Sequence, residues 1–284
     1  MPDRAAILAA LAGDGLHVDS PGRLPAVSGG SRLETRAGPV FLKIARQAES
    51  DRLEGEADGL AALARAGALR VPTVLACGTA GGSAFLALEW LAFEPATPDA
   101  GRALGRGLAA LHRVAGERFG WHRDNTIGAT PQVNTPDDDW IEFFREHRLR
   151  FQLELAAHNG YGGALQAEGR VLLERLERLF DGYSPRPSLL HGDLWGGNWS
   201  VVGGEPVIFD PAVHYGDREC DLAMTRLFGG FGREFYAAYD EAWPLEPGHE
   251  RRLALYQLYH VLNHLNLFGS GYLARARGLI RALG

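Results

Sequence analysis

The residues best suited to chemistry lie between 191 and 210, in the stretch HGDLWGGNWSVVGGEPVIFD. Asp193 is followed by four residues and then Asn198. At this spacing a carboxylate can orient a hydroxyl while a nearby amide oxygen holds a cation, the arrangement phosphoryl transfer calls for. Residues 199–202 and 205–209 are β-prone and flank Gly203-Gly204, a pair suited to a two-residue hairpin turn whose central residues both need positive φ. Pairing Val202 with Glu205 and counting back sets Asn198 against Phe209. Asn198 and Asp210 then emerge side by side at the open end of the hairpin. Those two oxygens suit Mg²⁺, which takes few protein ligands and shares its remaining positions with phosphates and water. Asp193, upstream, is placed to accept a proton from an attacking hydroxyl.

A cation is expected from the N-terminal third. Lys43 interrupts the apolar run Val40-Phe41-Leu42-Lys43-Ile44-Ala45, where a lysine is costly unless paired or at an edge. Leu53, Glu56, Leu60 and Leu63 recur at helical spacing, an apolar seam with one carboxylate in it. Glu54, Asp58 and Arg65 fall on the other face, so Glu56 is the expected partner of Lys43, together forming a clamp on nucleotide phosphates. Before them, Pro25-Ala26-Val27-Ser28 leads into Gly29, Gly30 and Ser31, a segment whose backbone N–H groups could approach an anion. Trp195, two residues past Asp193, offers a flat aromatic face.

The elements that must position these groups divide in two. Residues 3–12 read as a short helix carrying Ile7, Leu8 and Leu11. Strands are expected at 32–36, 40–45, 71–77 and 84–88, with a turn at Ala80-Gly81-Gly82. From about residue 98 the pattern becomes helical, with Leu104, Leu108 and Leu111 on one face. The expected division is therefore an N-terminal nucleotide-binding lobe at 1–90 and a C-terminal lobe at 91–284. Backbone groups of Glu89 and Leu91 would form a hinge for an adenine. Residues 120–138 read as a long loop. Helices are expected at 139–157, with Trp140, Phe143, Phe144 and His147 inward, and at 165–181, broken by Ser184-Pro185-Arg186-Pro187. Asp217 reads equally as a helix cap or a functional group, and Asp221 as a first-turn carboxylate. In the last long helix, about 247–268, His260 and His264 stand four apart. A metal pair is conceivable there, a core histidine and a cleft-facing one the stronger reading.

Composition excludes several classes. The chain has 284 residues, is 46% hydrophobic and carries a net charge of -6. Its arginines are scattered, which gives nucleic acid or an anionic membrane nothing to grip. Cys77 and Cys220 form no disulfide framework, and neither a signal-peptide core nor a run of ~20 apolar residues is present. The expected location is cytoplasmic.

The strings AGPVFLKIA, LEGEADGL, NTIGATPQVN, DWIEFFREHRL, LLHGDLWGGNW, PVIFDPAVHYGDRE and LNHLNLFGSGY span the chain from about residue 25. Together they resemble a bacterial member of the fructosamine-kinase, or ketosamine-3-kinase, family, within the aminoglycoside and choline kinase-like phosphotransferases. The resemblance implies an α+β, bilobal protein-kinase-like fold, with a small antiparallel-sheet N-lobe and a larger, mostly helical C-lobe. It implies ATP and Mg²⁺, and phosphorylation of the third-carbon hydroxyl of a small-molecule or protein-bound ketosamine, after which the unstable product releases its amine. It makes Asp193 the base, Asn198 and Asp210 the Mg²⁺ ligands, Lys43 and Glu56 the phosphate clamp, and Trp195 and His264 the sugar site, with Asp217 a further candidate there. A monomer or weak dimer is expected. Ser31 departs from relatives that carry a cysteine in the glycine loop, so control through that thiol is not expected. Two alternatives stay open: an aminoglycoside- or choline-type kinase, and a catalytically silent nucleotide binder.

Overall fold

The computed structural model describes residues 3–19 and 29–284. Residues 25–28 of the glycine segment lie outside the described residues. Helix α1 (Arg4–Gly13) starts at Asp3, whose side chain accepts from the Ala6 N–H at 3.1 Å, and it buries Ile7 and Leu11. The sheet comprises β1 (Gly29–Thr35), β2 (Gly38–Arg46), β3 (Val74–Ala80) and β4 (Ser83–Glu89), with helix α2 (Ser50–Ala66) between β2 and β3. Its order is β1-β2-β4-β3, antiparallel throughout. Side chains alternate across a strand. On β2, Val40, Leu42 and Ile44 join α1 in one apolar cluster, which leaves Lys43 on the opposite face, toward α2. Leu53, Leu60 and Leu63 of α2 are buried, as the seam requires.

The sheet ends at Glu89, and α3 (Pro98–His112) begins after Thr97, whose side chain accepts from the Ala100 N–H. The loop expected at 120–138 instead contains a small hairpin, β5 (Asn125–Ile127) with β6 (Thr130–Gln132). Its interior is polar: Gln132 donates to Asn125 at 2.8 Å, Asn125 to the Val213 carbonyl at 2.8 Å, and Tyr259 to Gln132 at 2.8 Å. The helix expected at 139–157 begins as α4 (Trp140–Phe144), passes through a π turn at Arg145–Arg150 and continues as α5 (Phe151–His158). The extra residue of a π turn rotates the helix face beyond it. Arg148, rather than His147, is therefore the residue buried there, donating to Asn134 at 2.7 Å with its guanidinium over Phe143. The next expected helix stops early, as α6 (Ala164–Leu173), followed by a 3₁₀ turn at Leu176–Phe180.

Strand β7 (Ser188–Leu190) leads into the 191–210 stretch, which contains β8 (Trp199–Val202) and β9 (Glu205–Ile208). Strand β10 (His214–Gly216) then returns antiparallel to β7. Helices α7 (Glu219–Leu227), α8 (Arg233–Ala242), α9 (His249–Phe268) and α10 (Leu273–Leu283) complete the lobe. No helix among the described residues is long and apolar enough to cross a membrane.

His214 sits in this core with Nδ1 at 3.1 Å from the Ala212 carbonyl, and burial, then the charge of Arg148, pull its pKa down to about 3. The unfolded chain takes up that proton near pH 6.5. As pH falls between these values, protonation of the unfolded state withdraws about 1.4 kcal/mol of stability per pH unit. His214→Asn removes this contribution. The variant should start less stable than wild type at pH 7, and the gap should narrow toward pH 4 in denaturant titrations. A gap independent of pH would contradict the assignment.

Candidate active site

The β8–β9 hairpin has the register counted from the sequence. Val202 pairs with Glu205 and Trp199 with Ile208, and Gly203 and Gly204 have φ of 60° and 81°. The Phe209 N–H donates to the Asn198 carbonyl at 3.0 Å, so Asn198 and Asp210 share the open end. Asp210 has φ of 54°, the one positive value at a non-glycine among the described residues. Backbone held in this sparsely populated region is concentrated at functional sites. The Asn198 amide nitrogen donates to the Asp193 carbonyl at 2.9 Å, which fixes the side chain and leaves its oxygen available. The hairpin is tied at both edges. The Glu94 N–H donates to the Val201 carbonyl at 2.8 Å, its carboxylate takes the N–H groups of Gly203 and Gly204, and the Ile208 N–H donates to the Arg70 carbonyl at 3.0 Å.

The loop carrying Asp193 is shaped from beneath by Asp221. One carboxylate oxygen accepts from the His191 N–H and the other from the Gly192 N–H, both at 2.8 Å, and His112 Nε2 lies 3.1 Å away. Burial pushes Asp221 up, but the bond from His112 and the Gly192 N–H are among the contacts that outweigh it and hold the carboxyl below its usual value. His191 is buried and neutral: Nδ1 accepts the Asp193 N–H at 3.2 Å, so Nε2 carries the proton toward the Phe209 carbonyl at 3.0 Å. Gly192 has φ of 84°, and a Cβ there would strike the Ala212 carbonyl. At Asp193 itself, burial first and then the carboxylates of Asp210 and Asp221 raise the pKa to about 8, against the Asn198 hydrogen bond.

Lys43 Nζ lies 2.6 Å from Glu56 and 2.6 Å from Asp210. Burial disfavours its charge, yet the two carboxylates hold it above its usual value; burial raises Glu56, with Lys43 opposing and Asp210 adding. The Lys43–Glu56 pair matches the sequence expectation, and the direct contact with Asp210 adds to it. Gly29, Gly30 and Ser31 differ from expectation. They do not form an open loop but belong to β1, with Gly30 directly opposite Lys43. A side chain on Gly30 would collide with the Phe41 ring. Glu89 and Leu91 line a cavity of about 330 Å³ with Phe41, Leu88, Phe93 and Phe209. Phe93 stacks on Phe209 at 4.9 Å, so the cavity has apolar walls suited to a flat base. The Glu89 N–H already donates to the Thr73 carbonyl at 2.9 Å, which leaves only its carbonyl for a hinge contact.

Lys43, Glu56, Asp193, Asn198 and Asp210 line one polar cavity of about 180 Å³. It meets a second, of about 470 Å³, through Gly128, Asp193 and Trp195. Trp195 lies over Gly197, where any Cβ would meet its ring, and is 41% exposed. His264 lines the larger cavity, its Nδ1 donating to the His260 carbonyl at 2.8 Å and its ring among Phe228, Phe268 and Tyr272. His260 is buried while His264 faces the cavity, and among the described residues no group of three or more His, Cys, Asp or Glu side chains gathers that could complete the metal pair their spacing allows.

Asp217 is elsewhere. It is buried, accepts from Tyr183 at 2.9 Å, Tyr256 at 2.6 Å and the Glu219 N–H at 3.0 Å, and lines neither cavity. The cause is β10. Gly216 pairs with Ser188, at the end of β7 opposite the one that feeds His191. The chain is carried away from the cleft before it reaches Asp217. Of the two sequence readings, the one that makes it a support for the start of α7 is the one the contacts fit.

A family model described as fructosamine kinase matches residues 13–283. The chain belongs to the fructosamine kinase family. It is 45% identical over 243 residues to a Synechocystis protein that carries the name probable ketoamine kinase, with 85% of this chain and 81% of that one covered. It is 46% identical over 252 residues to a rice (Oryza sativa subsp. indica) chloroplastic protein-ribulosamine 3-kinase, covering 87% and 73%. A Thermobifida fusca crystal structure assigned as a fructosamine-3-kinase superposes with a TM-score of 0.86 at 34% identity, with 98% of each chain covered. The α+β bilobal, kinase-like fold expected from the sequence is the fold of the chain.

Within this family fold, the donor set fits Mg²⁺. Asn198 and Asp210 offer two hard oxygen donors, with Lys43 against Asp210, and the polar cavity leaves room for phosphate and water to supply the rest.

Proposed function

We propose that this protein transfers the terminal phosphoryl group of ATP to the third-carbon hydroxyl of a ketosamine, a sugar adduct of an amine, and so opens the way to release of the amine. The reading is carried by one juxtaposition: Asp193 lines both the polar cavity of Lys43, Asn198 and Asp210 and the larger cavity walled by Trp195 and His264. A hydroxyl held at Asp193 therefore stands between the phosphate end of one site and the sugar space of the other. Lys43, fixed by Glu56, draws the phosphates into line. Mg²⁺ held by Asn198 and Asp210 would supply charge neutralisation on the phosphate oxygens. Asp193 orients the hydroxyl and takes its proton late. Trp195 gives the sugar a face to lie against.

An aminoglycoside acceptor fits less well. Such polycations call for several carboxylates, and the larger cavity has one among its lining residues, Asp193 itself. A silent nucleotide binder would have no need of all four polar groups around one cavity. The test is ADP release on incubation with ATP, Mg²⁺ and ribulosamine, erythrulosamine or fructosamine derivatives, with kanamycin and choline alongside. Turnover is expected with the ketosamines alone; turnover only with kanamycin or choline would reverse the reading.

A further inference from the structure

Arg52 lines the polar cavity with Lys43, Asp193 and Trp195, yet among the described residues no hydrogen bond or ion pair reaches its guanidinium, whose charge acts on Glu49 only as the smallest of several influences there. It lies one helical turn before Glu56 on α2, so the two share a face of the helix. The neighbouring charges are committed elsewhere. Lys43 is held by Glu56 and Asp210, and Glu49 by Arg46 at 3.0 Å. The larger acceptor cavity contains no cation, since its one charged lining residue is Asp193. In the joined space of the two cavities, Arg52 is thus the cation not already paired within the described protein.

We propose that Arg52 selects acceptors with a carboxylate close to the sugar-bearing nitrogen, namely ketosamines built on the α-amino group of an amino acid. This rests on the ketosamine reading above. In such an adduct the carboxylate is joined to the sugar's first carbon through only the nitrogen and one further carbon. With the third-carbon hydroxyl at Asp193, it stays near the junction of the two cavities, where Gly128, Asp193 and Trp195 are shared, and Arg52 lines the polar cavity on one side of that junction. A guanidinium fork matches a carboxylate with two parallel hydrogen bonds. The nucleotide phosphates have Lys43 and a cation that Asn198 and Asp210 would hold, and the behaviour of both rates in Arg52→Met separates a phosphate contact from a carboxylate one.

The experiment compares ribulosyl-glycine with ribulosyl-glycinamide, nearly the same in shape but differing in charge. Wild type should prefer the glycine adduct in kcat/KM by about tenfold or more, the effect of a charge-assisted pair. Arg52→Met should bring the ratio close to one, and Arg52→Lys should keep part of it. Wild-type turnover without preference overturns the proposal, as does a preference that survives in Arg52→Met while both rates fall together, the behaviour of a phosphoryl contact. Wild-type inactivity on both adducts would remove the ketosamine reading and this one with it.

Discussion

Asp193→Asn is expected to lower kcat and kcat/KM together by about 10³-fold while leaving nucleotide affinity near wild type. The substitution keeps shape and removes one capability, that of accepting a proton. The neighbouring frame relies little on the carboxyl. Asn198 donates to the backbone carbonyl of Asp193 at 2.9 Å and only at 3.4 Å to its carboxylate, and the His191 and Gly192 N–H groups are held by Asp221. Stability should not fall either. Burial and the charges of Asp210 and Asp221 disfavour an ionised Asp193, so a neutral amide relieves that strain. Single-turnover rates, ATP titration and thermal unfolding of the same preparation separate these effects. Near-normal turnover would remove Asp193 as the base. A loss of ATP binding equal to the loss of rate would make it part of the nucleotide site.

Local patterns make the hairpin and the clamp legible. Gly203-Gly204 between alternating β-prone residues admits one economical turn, and the turn fixes the register that brings Asn198 beside Asp210. Lys43 and Glu56 can be paired because Lys43 interrupts an apolar strand and Glu56 an apolar helical seam, and apolar faces meet. The hidden features depend on contacts between distant segments. Asp221 reads as a favourable first-turn charge, because nothing in its neighbourhood signals the loop 29 residues earlier that its carboxylate organises. Glu94 reads as linker, though it caps a turn 109 residues away. Asp217 lies close in sequence to the metal-ligand candidate Asp210, but the pairing of β10 with β7 carries it off. The π turn is invisible for a different reason: the apolar spacing of Trp140, Phe143 and Phe144 is helical up to the insertion, and one extra residue alters only the helix face beyond it.

Asp210→Asn should reduce the Mg²⁺-dependent part of ATP affinity by about 100-fold, because replacing a charged ligand should exceed the 10–100-fold typical of losing an outer-shell partner. Asparagine tolerates positive φ nearly as well as aspartate, so the backbone at 54° need not change and the variant isolates the charge. Lys43 would retain Glu56 at 2.6 Å and lose the second of its two carboxylates, keeping its position with less support for its charge. Nucleotide binding without Mg²⁺ should therefore change little. The informative quantity is the difference between ATP titrations with and without Mg²⁺: large in wild type, small in the variant. An equal difference in both proteins would mean that Asp210 serves as a partner of Lys43 and not as a metal ligand, and Asn198, held by the same hairpin, would lose its neighbour in that task.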